Sequence, residues 1–295
     1  RAIAVGTVLI YHVGIPFMPG GFVGVDIFFV ISGFLITSLL LREATSSGRI
    51  SIADFYARRA RRLLPAASVV LIATAVAGWF ILPGEDRLNL GKDVIAATAY
   101  VINWTLAFRS VDYLAEDAAP SALQHYWSLS VEEQFYVFWP LIIMVGLFVA
   151  HRTRARVKPL LFALLGLIAA ASLGYSVVHT AADPATAYFF STTRIWELAI
   201  GALLAFAVVR LARLPHRLAE VMAGLGLVLV LGSAFFLSAS TPWPSFWALF
   251  PTVGSALIIA AGCASSETVT ARLLGLRPMV FIGGLSYAIY LWHWP

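Results

Sequence analysis

The chain has 295 residues, of which 60% are hydrophobic and 12% are charged, and its formal net charge at pH 7 is +5. Soluble domains carry about 25% charged residues, so this composition excludes an ordinary soluble enzyme. A single cysteine excludes a disulfide framework and a thiolate metal cluster. In a membrane protein, excess positive charge belongs to the cytoplasmic loops, so it does not indicate nucleic-acid binding.

Hydropathy predicts an all-α, polytopic transmembrane helix bundle, because the apolar runs approach the length of a bilayer crossing and lack the alternation of a membrane strand. We expect about nine to ten membrane segments in one domain over 1–295. Because the chain begins without Met inside one apolar run and ends inside another, we expect it to be truncated at both ends. The predicted helices cover 2–14, 22–41, 64–82, 131–150, 159–178, 194–211, 218–237, 246–263 and 280–295, with a weaker apolar run at 93–108.

Arginines mark the cytoplasmic loops of the predicted bundle. The segments 42–62, 151–158 and 264–279 are basic, which places them on the inner side by the positive-inside rule. If 93–108 crossed the membrane, the basic 151–158 loop would fall outside. We therefore expect 93–108 to be re-entrant or buried against the bundle. Irregular backbone at membrane depth needs a covering of protein or a water-filled cavity.

Three ionisable residues in the first predicted hairpin are candidates for function, since charges inside a membrane are costly. Arg1 and His12 are eleven residues apart, which places them on one helix face about 16 Å apart. Asp26 should lie at the depth of His12, and a carboxylate beside an imidazole sets its tautomer and raises its basicity. The alternatives are an anchoring role for Arg1, a structural histidine, and a buried ion pair for Asp26.

The stretch FYARRARRLLP places four arginines in five positions: Arg58, Arg59, Arg61 and Arg62. Two interpretations stay open at this point. The cluster is typical of a cytoplasmic anchor that contacts anionic lipid headgroups. It is equally typical of a phosphate site, since arginine forks match phosphate oxygens.

The stretch HYWSLSVEEQFYVFWP is rich in polar and aromatic residues and leads into a predicted helix. Ser130 and Glu133 have the spacing of a capping box, which leaves Glu132 and His125 unexplained. Its aromatic residues, Trp127 among them, are typical of a membrane-interface belt or of a surface that binds sugars.

Two further features lie in the C-terminal half. Arg194 and Glu197 are three residues apart on a helix face, so we expect them to pair with each other. His293 is an intramembrane histidine without an obvious partner, which favours a structural role. No metal motif, GxSxG elbow or Walker loop is found in the sequence, so we predict no metal site.

Five stretches occur in an order that resembles membrane-bound acyltransferase family three, the bacterial integral-membrane O-acyltransferases. They are RAIAV…YH with ten residues between Arg1 and His12, GGFVGVDIFFVISGFLIT, FYARRARRLLP, WSLSVEEQFY and LSYAIYLWHWP. The resemblance runs from Arg1 to Pro295. The LWHWP ending is similar to members that carry a further helix and an extracytoplasmic SGNH-type domain.

The resemblance implies a ten-helix module in the bacterial cytoplasmic membrane. It also implies transfer of an acyl group, usually acetyl, from cytoplasmic acyl-CoA to hydroxyls of extracytoplasmic carbohydrates such as lipopolysaccharide, capsule or peptidoglycan. Acyl-CoA is then a donor substrate, and no permanently bound cofactor is expected. The family's arginine and histidine match Arg1 and His12, and its cytoplasmic arginine motif matches Arg58, Arg59 and Arg62.

Together these readings assign roles to the candidate residues. We predict that His12, oriented by Asp26, removes a proton from the acceptor hydroxyl or briefly carries the acyl group. The residues expected to bind acyl-CoA are Arg1, Arg58, Arg59 and Arg62. The residues expected either to bind the acceptor or to be structural are Glu132, Glu133, Trp127 and His125.

A multi-pass transporter or flippase is the competing hypothesis. In that reading the buried charges would form a substrate or proton pathway. Paired broken helices or inverted repeats would favour it, and the sequence shows one possible broken helix and no repeat.

Overall fold

A computed structural model describes residues 1–47, 50–110, 120–153 and 156–295, and within these ranges the regular structure is entirely helical. The prediction of an all-α membrane protein is therefore confirmed. In chain order the helices are Ala2–His12 (α1), Gly24–Ser47 (α2), Ile52–Ile81 (α3), Gly84–Thr98 (α4), Ile102–Ser110 (α5), Tyr126–Thr153 (α6), Val157–Ala182 (α7), Pro184–Phe189 (α8), Ile195–Leu211 (α9), His216–Phe236 (α10), Leu249–Ala264 (α11), Val269–Leu274 (α12) and Arg277–Trp292 (α13).

In the part of the chain that the structure describes, six helical segments are long and apolar enough to cross a bilayer, so the predicted count of nine to ten is not confirmed. The difference arises because α1, α9 and α13 have 11, 17 and 16 residues, while a full crossing takes about 20. Among the described residues the six segments are Gly21–Ser46, Ile52–Ile81, Tyr126–Val149, Val157–Ala182, His216–Phe236 and Phe246–Ala264.

Helix α3 begins at Ile52, well before the predicted start at 64, so the arginine cluster lies on the helix itself. Ser51 caps this helix by accepting a hydrogen bond from the backbone N–H of Asp54, a typical N-cap interaction. Alanine and arginine are strong helix formers, which extends the helix through the basic stretch. Arg58, Arg59, Arg61 and Arg62 therefore lie within two turns of one rigid helix.

The weak apolar run at 93–108 is divided between α4 and α5. Tyr100 adopts a positive φ of 53° between these helices, which ends α4 and reverses the chain. Neither helix reaches the length of a bilayer crossing. Asp93 and Arg109 hold the two helices together through bonds of 2.7 and 3.1 Å.

Close backbone contact between α2 and α9 fixes the centre of the bundle. A Cβ added at Gly33 would lie 1.9 Å from the carbonyl oxygen of Leu198, and one added at Gly201 would lie 2.0 Å from that of Val30. Small residues at such positions let membrane helices approach closely. The contact sets the position of α2, which supplies much of the cavity described below.

We expect Gly33→Ala to destabilise the protein by about 1–3 kcal/mol or more, because the new methyl meets backbone atoms that cannot rotate away. Gly224→Ala is the matched control, since nothing lies within 4 Å of its added Cβ and alanine is the better helix former. Thermal unfolding of the detergent-purified protein measures both changes. Equal melting temperatures for the two variants would contradict the close contact.

Candidate functional site

The carboxylate of Asp26 is bound by Arg194, so the predicted pair of Asp26 with His12 is wrong. The Arg194 guanidinium donates through Nη1 to Asp26 Oδ1 and to Glu197 Oε1, both at 2.8 Å. All three side chains are buried. A fixed positive charge at the start of α9 is a stronger partner for a buried carboxylate than a neutral imidazole, which explains the outcome. The predicted pairing of Arg194 with Glu197 is confirmed.

Aromatic rings surround the Arg194 guanidinium on several sides. The centroids of Trp127, Tyr188, Phe29 and Trp243 lie 5.3, 5.6, 5.9 and 5.9 Å from its central carbon. Such distances allow cation–π attraction in a desolvated setting. Trp127 is therefore buried in this cluster, beside Arg194.

A cavity of about 180 Å³ brings the four predicted acyl-CoA-binding arginines together. Helix α2 forms an apolar wall of this cavity, and α3 contributes the basic one. Arg61 is not among the lining residues. The polar and charged lining consists of Arg1, Ser32, Arg58, Arg59, Arg62, Ser128, Glu132, Tyr136, Ser286, Tyr287 and Tyr290.

Two of these arginines already have carboxylate partners. Arg58 lies 2.6 Å from Glu43, and Arg59 lies 3.4 Å from Glu133. Within the described ranges no ion pair involves Arg1 or Arg62. Arg1 and Arg62 are therefore the cavity arginines without a bonded carboxylate, while Glu132 of the same cavity attracts Arg1 electrostatically.

Glu132 faces the same cavity from α6, on the side of the arginines. Its Oε1 accepts a hydrogen bond of 2.5 Å from the Ser32 hydroxyl and another from the Tyr136 hydroxyl. The Tyr136 ring in turn lies 3.7 Å below the Arg59 guanidinium. Sequence reasoning missed Ser32 and Tyr136, although Tyr136 follows Glu132 by four residues and so shares its helix face.

The predicted capping box of Ser130 and Glu133 is wrong. Helix α6 begins at Tyr126, and the Ser130 hydroxyl donates to the Tyr126 carbonyl within the helix at 3.0 Å. The helix extends further toward the N-terminus than predicted, so Ser130 lies inside it. Glu133 is consequently available to pair with Arg59.

His12 forms a pair with His293, the histidine for which no partner was predicted. Nδ1 of His12 lies 3.1 Å from Nε2 of His293, and the Trp294 ring packs edge-on at 4.8 Å. His125 is buried beside them, with its ring 5.6 Å from that of His293. Burial, and secondarily His293, lower the pKa of His125 to about 3, so His125 is neutral at physiological pH.

Tyr290 and Ser128 separate the cavity from the histidine pair. Their hydroxyl oxygens lie 2.6 Å apart, and each lies within 3.3 Å of the His125 carbonyl oxygen. Both residues line the cavity, while the Tyr290 ring is 5.1 Å from the His293 ring. One layer of side chains therefore stands between the arginine cavity and His293. Sequence reasoning missed both residues.

The predicted acceptor group is not assembled at one place. Glu132 and Glu133 lie on the arginine side, Trp127 contacts Arg194, and His125 is buried beside His293. The predicted acyl-CoA group, in contrast, lines one cavity.

The family described as "Acyltransferase domain" matches residues 1–295. The chain belongs to this family. The match confirms the resemblance drawn from the five stretches and the prediction of an O-acyltransferase, and it favours the enzyme over the transporter or flippase.

The chain is similar to YrhL of Bacillus subtilis (strain 168), with 36% identity over 304 residues that cover all of this chain and 47% of the relative. It is also similar to O-acetyltransferase OatA of Staphylococcus aureus (strain NCTC 8325 / PS 47), with 34% identity over the whole chain and 49% of the relative. Peptidoglycan O-acetyltransferase OatA of Listeria monocytogenes serovar 1/2a (strain ATCC BAA-679 / EGD-e) is 33% identical, again over the whole chain and 48% of the relative. The chain thus spans about half the length of these relatives. No solved structure matches the chain.

We expect Arg194→Met to lower the free energy of unfolding by about 3–5 kcal/mol, because it leaves two buried carboxylates without a cation. Asp26→Asn should cost less, since the guanidinium keeps Glu197 as its charged partner. Thermal unfolding of the purified protein compares the two. If Asp26→Asn abolished activity while stability was unchanged, Asp26 would have a catalytic role despite its contact with Arg194.

Proposed function

We propose that this domain transfers an acetyl group from cytoplasmic acyl-CoA to a hydroxyl of an extracytoplasmic glycan, in the cytoplasmic membrane of a bacterium. One observation carries the proposal: the arginine-lined cavity ends at Tyr290 and Ser128, beside the His12–His293 pair. A donor held by the arginines would therefore point its acyl end toward a histidine base.

The arginines suit the phosphates of coenzyme A. Guanidinium groups bind phosphate oxygens through paired, charge-assisted hydrogen bonds. Arg1 and Arg62 would carry most of this binding, since they have no carboxylate to release. Arg58 and Arg59 would exchange Glu43 and Glu133 for phosphate or strengthen the local potential. The apolar side chains of α2 would contact the pantetheine arm.

His12 suits the role of general base. It lies at the end of α1 and is exposed, so an acceptor hydroxyl can reach it. His12 would take the hydroxyl proton while the oxygen attacks the thioester carbon, and the thiolate of coenzyme A would leave. A thioester is already activated, so no serine nucleophile is needed. Brief transfer of the acyl group to His12 itself is a second route with the same residue.

Peptidoglycan is the acceptor favoured by the relatives. The name of the Listeria relative gives peptidoglycan as what it acetylates, and the relatives described above give no support to lipopolysaccharide. Repeating amino sugars of peptidoglycan carry free hydroxyls on the outer side of the membrane. The exposed ring of His12 beside Trp294 is the part of the site that such a sugar would meet.

Acetyl transfer by the full-length protein tests this proposal. Purified enzyme in nanodiscs receives radiolabelled acetyl-CoA and soluble peptidoglycan strands, and wild type is compared with His12→Ala. We expect label on the glycan from wild type and a loss of at least about 100-fold with His12→Ala, the range of general-base catalysis. Failure of wild type both to bind acetyl-CoA and to transfer label would contradict the proposal.

Arg62→Ala should raise the KM for acetyl-CoA by about 10- to 100-fold, because a hydrogen bond to a charged group contributes about 1.5–3 kcal/mol. Arg61→Ala is the matched control. Arg61 is one position away on the same helix, is exposed, and donates to the Ala57 carbonyl at 3.2 Å instead of lining the cavity. Steady-state kinetics with varied acetyl-CoA measure both. Equal effects of the two substitutions would indicate a general electrostatic role and contradict a specific phosphate contact.

A further inference from the structure

The bonds of His293 determine which of its ring nitrogens carries hydrogen. Its Nδ1 lies 2.6 Å from the carbonyl oxygen of Tyr290. A carbonyl oxygen only accepts hydrogen bonds, so Nδ1 of His293 must be the donor. A neutral imidazole has one N–H, and therefore Nε2 of His293 holds a lone pair.

The same reasoning then fixes the tautomer of His12. Nε2 of His293 lies 3.1 Å from Nδ1 of His12, and with a lone pair on Nε2 the hydrogen of this bond must belong to His12. The Nε2 atom of His12 is left with the lone pair. This is the nitrogen that a base needs. The His12 ring also contacts the backbone carbonyl of Val8, one turn earlier in α1, and that acceptor likewise requires hydrogen on the ring nitrogen it faces.

We propose that His293 is a positioning residue that holds His12 in the tautomer with a basic Nε2 and shares the proton that His12 receives. The proposal rests on the proposed function of His12 as the base. His293 thus takes the place that sequence reasoning gave to Asp26. In its neutral form it sets the tautomer without adding a negative charge.

The proton balance of this pair is complete. The acceptor hydroxyl loses its proton to Nε2 of His12, and the Nδ1 proton of His12 moves to Nε2 of His293. His293 then carries both N–H groups, one bonded to the Tyr290 carbonyl and one to His12. As the thiolate of coenzyme A leaves, the two transfers reverse, and the proton ends on sulfur. The ester bond forms, the thioester bond breaks, and both histidines return to their starting state.

Few titratable or charged groups face the two histidines. Titratable groups that face the pair are His125, Tyr11 and Tyr290. On the neighbouring helix α2, Asp26 is engaged by Arg194. Arg1 lies at the opposite end of α1. In the described ranges no carboxylate hydrogen-bonds to either ring, so the groups that orient His12 are His293 and the backbone carbonyl of Val8.

The first test reads the tautomer directly, without catalysis. Full-length protein labelled with ¹⁵N-histidine in nanodiscs gives ring-nitrogen shifts, which are assigned by comparison with His12→Gln. We expect hydrogen on Nδ1 of His12 in wild type and a shift toward the Nε2–H form in His293→Ala. Hydrogen on Nε2 of His12 in the neutral wild-type pair would overturn the proposal, even if the enzyme transfers acetyl groups as proposed.

The second test separates positioning from a merely structural role. We expect His293→Ala to lower kcat about 10- to 100-fold, to leave the KM for acetyl-CoA within about twofold, and to shift the acid limb of the pH profile. His293→Gln keeps an oxygen acceptor for His12 but cannot take a proton, so it should recover part of kcat and retain the altered profile. His216→Gln, at the exposed start of α10, is the control.

Identical kcat and pH profiles for wild type and His293→Ala would overturn the proposal while leaving the acetyl transfer intact. If His293→Ala did not fold, the glutamine variant and the wild-type tautomer would still decide. If wild type transferred no acetyl group, the proposed function would be contradicted, while the measured tautomer of His12 would still test the role of His293.

Discussion

Arg194 imposes the constraint on which the rest of the bundle depends. A guanidinium buried among membrane helices is costly unless carboxylates compensate it, and here Asp26 from α2 and Glu197 from α9 both do so. The backbones of α2 and α9 meet at glycines nearby, so charge pairing and close packing act on the same two helices. Because α2 forms the apolar wall of the arginine cavity, this one guanidinium sets the geometry of the site.

The arrangement suits a reaction whose two substrates lie on opposite sides of a membrane. Arginines of α1 and α3 collect at one end of the cavity, and the histidine pair stands beyond the other end, behind Tyr290 and Ser128. In the proposed function, the arginines that would bind the donor and the histidine that would act as the base are separated along the length of α1. In the proposed function, the acyl end of the donor would have to cross the layer of Tyr290 and Ser128 while its charged part stays at the arginines.

Local sequence pattern predicts where the helices lie, but it does not predict which side chains contact each other across the bundle. Most predicted apolar runs coincide with helices, because hydropathy reports directly on burial in lipid. The predicted start of α3 is too late because arginines are typical of cytoplasmic loops, whereas here they continue a capped helix. The hairpin pattern pairs Asp26 with the histidine nearest in sequence, whereas its partner is Arg194, which lies 168 residues later in the chain. His293 lies 281 residues from His12, and no local pattern in the sequence indicates that the two rings meet.

The central claim is that one acyl-CoA donor binds with its phosphates in the arginine cavity and its acyl group beside the histidine pair. Electron cryomicroscopy of the full-length protein with a non-hydrolysable acetyl-CoA analogue, in which a methylene replaces the thioester sulfur, tests this claim most directly. The account predicts phosphates against Arg1 and Arg62 and the acyl carbon within reach of the histidine pair, with room for an acceptor oxygen about 3–3.5 Å from that carbon. Phosphates bound away from these arginines, or an acyl group pointing away from His12, would contradict it.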